Sequence, residues 1–127
     1  VFLLSIDKET DGLVELVLQS TAHEAVGMAF ADNQGVFYAL PSGKGAIPKS
    51  LVEAIDIITD EGGKYLVEIR TKSDEEWNRG VRRHNPILYW LNLIKKSKGG
   101  KVLLGFFELQ AEADRFRLFL RKLGYPA

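Results

Sequence analysis

Hydrophobic residues change their spacing along this chain, and that change limits the folds open to it. Up to residue 40 they come in short runs separated by turn formers. The runs VFLLSI (1–6), GLVELVLQS (12–20), AVGMAFA (25–31) and GVFYAL (35–40) each have the length of a strand. The last two flank Asp32-Asn33-Gln34-Gly35, a good hairpin connection. PSGKG (41–45) reads as a loop by composition. Pro48 then suits a first helical position, and Leu51, Val52, Ile55 and Ile58 form a helical stripe that Gly62-Gly63 ends. KYLVEIRT (64–71) alternates like a strand, with Tyr65, Val67 and Ile69 on one face.

Ser73 and Glu76 make a capping box, which predicts a helix beginning near Asp74 and stopping near Asn85. Asn85 and Pro86 open a second helix, with Ile87, Leu88, Leu91 and Ile94 turned inward and Gly99-Gly100 closing it. VLLGFF (102–107) reads as a buried strand. The last helix spans 109–123, with Phe116, Phe119, Leu120 and Leu123 as its stripe and Gly124 as its stop. The resulting order, strands first and then α-β-α-α-β-α, predicts an α/β layer structure with a mixed sheet covered by helices. A small α+β domain with an antiparallel N-terminal meander is the alternative.

Composition excludes several function classes. At 127 residues, 46% hydrophobic and 27% charged, the chain has the make-up of one globular domain, residues 1–127. It has no cysteine, which removes disulfide scaffolds, thiolate metal sites and cysteine nucleophiles. With only His23 and His84, a zinc site of three imidazoles is excluded too. No apolar run approaches the roughly 18 residues of a membrane span, and no export signal is visible, so the expectation is an intracellular protein without membrane contact. The chain opens on Val1, which fits a processed chain or a piece of a larger parent chain. The serines have no histidine and acid at readable spacing, and Gly43-Lys44-Gly45 lacks the spacing of a phosphate loop.

A net charge of zero conceals a division. Residues 1–76 carry a balance of −8 and residues 77–127 a balance of +8. Between Trp77 and Lys101 lie Arg79, Arg82, Arg83, Lys95, Lys96 and Lys98, with no acid among them. Trp77, Tyr89 and Trp90 are interleaved with these bases. Cations among exposed aromatics suit a polyanion whose bases can stack, so single-stranded nucleic acid is a candidate partner. Trp77, Arg79, Arg82, Arg83, Trp90, Lys95, Lys96 and Lys98 are the candidate contacts. The same pattern fits a solvated helix face with its aromatics turned inward, or head-to-tail contact between copies in a homo-oligomer.

Asp7 and Glu9 stand at i and i+2 of an extended segment, where side chains point the same way. Two adjacent carboxylates repel unless a cation lies between them, and a pair of divalent metals is one use for such a cluster. The string Asp7-Lys8-Glu9-Thr10-Asp11-Gly12-Leu13 resembles the first motif of the DEDD family of 3′–5′ exonucleases, Asp-x-Glu-Thr-x-Gly-Leu. AVGMAFADNQGVFYALP resembles the second and third strands of the exonuclease domains attached to family-A DNA polymerases. Asp74 then takes the place of the second motif's aspartate and Asp114 that of the third, with Glu112 a second choice. The resemblance implies a ribonuclease-H-like fold in which Asp7, Glu9, Asp74 and Asp114 hold two Mg²⁺ or Mn²⁺ ions for 3′–5′ exonuclease chemistry. Ile69-Arg70 stand where the family has His-Asn, and Gln110 where it has Tyr or His, so a non-catalytic relative is implied equally. KETDG also reads simply as a hairpin loop, and Glu53 as a surface glutamate.

Overall fold

A computed structural model describes residues 2–72 and 100–127. The expected helices at 74–85 and from Pro86 onward lie outside the described residues. The chain runs β1 (Leu3–Thr10), β2 (Leu13–Gln19), β3 (Ala25–Asp32), β4 (Gly35–Leu40), β5 (Gly43–Pro48), a 3₁₀ turn (Lys49–Leu51), β6 (Val52–Thr59), β7 (Tyr65–Thr71), β8 (Lys101–Phe107) and helix α1 (Gln110–Lys122). The strands form a single sheet in the order β5-β4-β3-β2-β1-β8-β7-β6. Every neighbouring pair is antiparallel except β1 and β8, which are parallel.

This corrects the expected ribonuclease-H-like architecture. Among the described residues strands make up 58% and helical structure 16%, and α1 is the single α-helix beside an almost wholly antiparallel sheet, in place of an α/β layer flanked by several helices. The meander β1–β5 follows from tight turns. Thr10 pairs with Leu13 across Asp11-Gly12, so KETDG is a two-residue hairpin. Asp32 Oδ1 accepts from the Gln34 and Gly35 amides at 2.8 and 3.1 Å and fixes the β3–β4 turn. Leu40 pairs with Gly43, so only Pro41-Ser42 remain as a turn, and the expected PSGKG loop is mostly strand β5.

The expected helix after Pro48 is strand β6. Its register with β7 shifts between Val52 and Ala54, leaving Glu53 as a bulge. A bulge adds one residue to the strand's alternation, so buried Val52 and Ile55 stand three apart, as on a helix. The segment VEAIDIIT is rich in β-branched residues that favour a pleated surface.

Chain connectivity forces the sheet to curl. β5 and β6 lie at opposite ends of the strand order, yet only Lys49–Leu51 joins them. Flat, the eight strands would put these two about 33 Å apart, at ~4.8 Å per step. The linker reaches at most about 14 Å. The inner face holds alternating side chains, among them Val14, Leu16 and Leu18 of β2, Val36 and Tyr38 of β4, and Val67 and Ile69 of β7. Tyr38 packs over Gly45 of β5, where a Cβ would fall 2.2 Å from the tyrosine oxygen. Helix α1 adds Ala113, Phe116, Phe119 and Leu120 to the same core, with the Phe116 ring tilted against Phe107 at 5.6 Å.

The C-terminal residues brace the join. Tyr125 is buried and its hydroxyl donates to the Asp32 carbonyl at 2.7 Å. Burial, with the Asp32 charge adding to it, pushes the Tyr125 phenol well above its ordinary pKa. The Ile55 amide of β6 donates to the Pro126 carbonyl at 2.9 Å, and Lys49 Nζ donates to the Leu123 carbonyl.

Gly105 sets how closely β8 approaches β1. Its φ is +153°, and an added Cβ would sit 2.4 Å from the Phe2 carbonyl oxygen. The neighbouring Phe106 amide donates to that oxygen at 3.0 Å. Gly105→Ala is expected to lower stability by about 1–3 kcal/mol. Urea unfolding read by circular dichroism measures this, and an unchanged midpoint would contradict the close approach.

Candidate functional site

Of the candidate carboxylates, Asp7 and Glu9 lie on β1, and Glu112 and Asp114 lie on α1. β1 pairs with β2 along its whole length, but with β8 only through Leu3 and Phe106. Beyond Leu3, α1 covers that edge of the strand. The Ile6 amide donates to Glu112 Oε1 at 2.9 Å. Arg115 Nε donates to Glu9 Oε2 at 2.7 Å, and its NH2 group reaches the same oxygen. Glu112 and Arg115 are three apart, so one face of the helix presents both to the strand.

Asp7 sits at a bulge between Ile6 and Lys8, which pair with Leu16 and Glu15. The bulge removes Asp7 from the alternation, so the i, i+2 spacing no longer puts it beside Glu9 by rule. Asp114 is exposed on α1 and pairs loosely with Arg117 at 3.8 Å. Gln110 is the exposed first residue of that helix. Asp74 lies outside the described residues. Among the described residues, no three histidines, aspartates or glutamates form a group able to hold a metal. Asp7, Glu9 and Asp114 therefore do not fit a two-metal centre by themselves, and no chemical step follows from them. Of the carboxylates weighed in the third motif, Glu112 is the one that meets β1.

Trp77, Arg79, Arg82, Arg83, Trp90, Lys95, Lys96 and Lys98 also lie outside the described residues. The structure does describe the strand ends on either side of them. The Thr71 amide and hydroxyl both donate to the Gly100 carbonyl at 3.1 Å, and Arg70 pairs with Lys101. The Lys72 amide donates to the Leu51 carbonyl at 3.1 Å. Residues 73–99 thus depart from and return to two hydrogen-bonded ends of neighbouring strands. No helix among the described residues is long and apolar enough to cross a membrane.

A concavity absent from the sequence reading opens beside the β1–β8 seam. It has a volume of about 290 Å³ and is lined by Phe2, Leu18, Leu40, Pro41, Ser42, Leu103, Leu104 and Gly105. Consecutive strand residues normally face opposite sides of a sheet. Here Leu103 and Leu104 line one cavity because the β7–β8 register shifts between Val67 and Glu68, which pair with Gly105 and Leu103. A bulge of this kind has no hydrophobic signature in VLLGFF beyond the glycine itself.

The Glu112 contact yields a direct prediction. Glu112→Ala removes the acceptor of a half-buried strand amide and is expected to cost about 1–3 kcal/mol. Arg115→Ala breaks a more exposed ion pair and should cost no more than about 1 kcal/mol. Thermal melts of the two variants check the order; a larger loss for Arg115→Ala would mean that the ion pair, not the amide cap, holds α1 to β1.

No family model, curated protein or solved structure matches this chain, and its function is read from its own geometry.

Proposed function

We propose that the chain is a non-catalytic, nucleic-acid-binding domain in which the rolled sheet carries a basic, aromatic connection between β7 and β8. One observation bears most weight: the run from Trp77 to Lys98 is inserted between strand ends tied together at Thr71 and Gly100. Connections held by a rigid scaffold are where binding residues concentrate. The six bases in that insertion supply charge for phosphates, and Trp77 and Trp90 supply rings for bases. Glu9 and Asp114 are already matched to arginines, which supports a binding role over a metal-dependent one.

Single-stranded oligonucleotide binding, followed by fluorescence anisotropy across a salt series, tests this reading. The log–log slope should be near −0.7 per phosphate contacted, and Arg82→Ala with Arg83→Ala should flatten it by about one to two contacts. Trp90→Ala should weaken binding by about 1–3 kcal/mol. Manganese should release no nucleotides from the 3′ end. Binding that ignores both salt and the double arginine change would overturn the proposal. Manganese-dependent release that Asp7→Asn abolishes would overturn its non-catalytic part.

A further inference from the structure

We infer that the cavity between β1, β2, the β4–β5 turn and β8 binds a neutral, apolar small molecule: a fused bicyclic aromatic or an alkyl chain of about ten carbons. Size supports this first. An apolar protein cavity of about 150 Å³ holds one benzene ring, so a volume of about 290 Å³ takes roughly twice that. Chemistry supports it next. The described lining consists of Phe2, Leu18, Leu40, Pro41, Leu103 and Leu104, with the Ser42 hydroxyl as its one polar side-chain group. A charged ligand group placed there would lose its water with no opposite charge among these residues to replace it. A neutral ligand loses nothing comparable, and a terminal hydroxyl could meet Ser42.

The cavity is also preformed. Two of the residues around it, Leu18 and Leu104, are 0% and 2% exposed and belong to the main core. Neither can swing into the space without leaving a hole behind it. Gly105 is fixed beside Phe2 by the Phe106 hydrogen bond to the Phe2 carbonyl. Leu103, by contrast, is 41% exposed at the mouth, where a ligand would cover it. A bulge that turns two successive leucines toward one space is a feature commonly found next to binding sites. None of these residues belongs to the β7–β8 connection, so the inference stands apart from the nucleic-acid reading.

The test uses the neutral dye N-phenyl-1-naphthylamine, whose fluorescence rises in apolar surroundings. The full chain should give a saturable enhancement at one dye per chain. 1-Decanol should displace the dye, and decylammonium should do so at least about tenfold less well. Leu103→Trp and Ser42→Trp fill the mouth from two sides, from an exposed strand position and from an exposed turn. Each should weaken dye binding by about tenfold or more while leaving the melting temperature unchanged. An enhancement that does not saturate, equal displacement by the ammonium, or undiminished binding in both variants would overturn the inference.

Discussion

The parallel contact between β1 and β8 holds the sheet together. Five strands form a meander on one side of it and three strands lie on the other. Along the strands the contact is brief: Leu3 pairs with Phe106, and the Phe106 amide reaches the Phe2 carbonyl. Gly105 makes that approach feasible, because any side chain there would strike the Phe2 backbone. Parallel pairing needs a long crossover between its strands, and here that crossover is the rest of the sheet. The short Lys49–Leu51 linker then closes the geometry by drawing β5 and β6 toward each other.

Where strand pairing runs out, α1 and the C-terminal residues take over. Glu112 caps the Ile6 amide that β8 no longer reaches, and Pro126 accepts from Ile55 at the edge of β6. Tyr125 ties the same segment to the end of β3. A buried or half-buried amide without a partner costs more than a typical hydrogen bond gains, so these contacts protect the sheet against unsatisfied edges. Around β1, Glu112 through the Ile6 amide and Glu9 through Arg115 join the strand to the helix.

Much of the strand pattern was legible from local chemistry. Asp11-Gly12 and Asp32-Asn33-Gln34-Gly35 mark turns because those residues stabilise them by their own hydrogen bonds or backbone freedom. The stripe of Phe116, Phe119 and Leu120 gave away α1 because no bulge interrupts a helix's period. The sequence of β6 has a helical spacing because the bulge at Glu53 sets Val52 and Ile55 three residues apart. The DEDD-like string misled on fold for a related reason: KETDG satisfies a motif and a hairpin with the same residues. Meetings of distant segments, such as the Ile6 hydrogen bond to Glu112 or the shared cavity wall of Leu40 and Leu103, leave no local trace in a sequence.

Folding and the proposed binding divide between two parts of the chain: a sheet sufficient to fold, and a β7–β8 connection that carries the basic and aromatic residues. Thr71 and Gly100 are already hydrogen-bonded, so residues 73–99 can be replaced by an Asn-Gly turn without pulling the strands apart. The most direct measurement compares this shortened chain with the full one, by circular dichroism on melting and by single-stranded oligonucleotide binding. The expected result is an unchanged strand spectrum and a cooperative melt, with binding gone. A shortened chain that still binds the oligonucleotide in a salt-dependent way, or one that no longer folds, would contradict it.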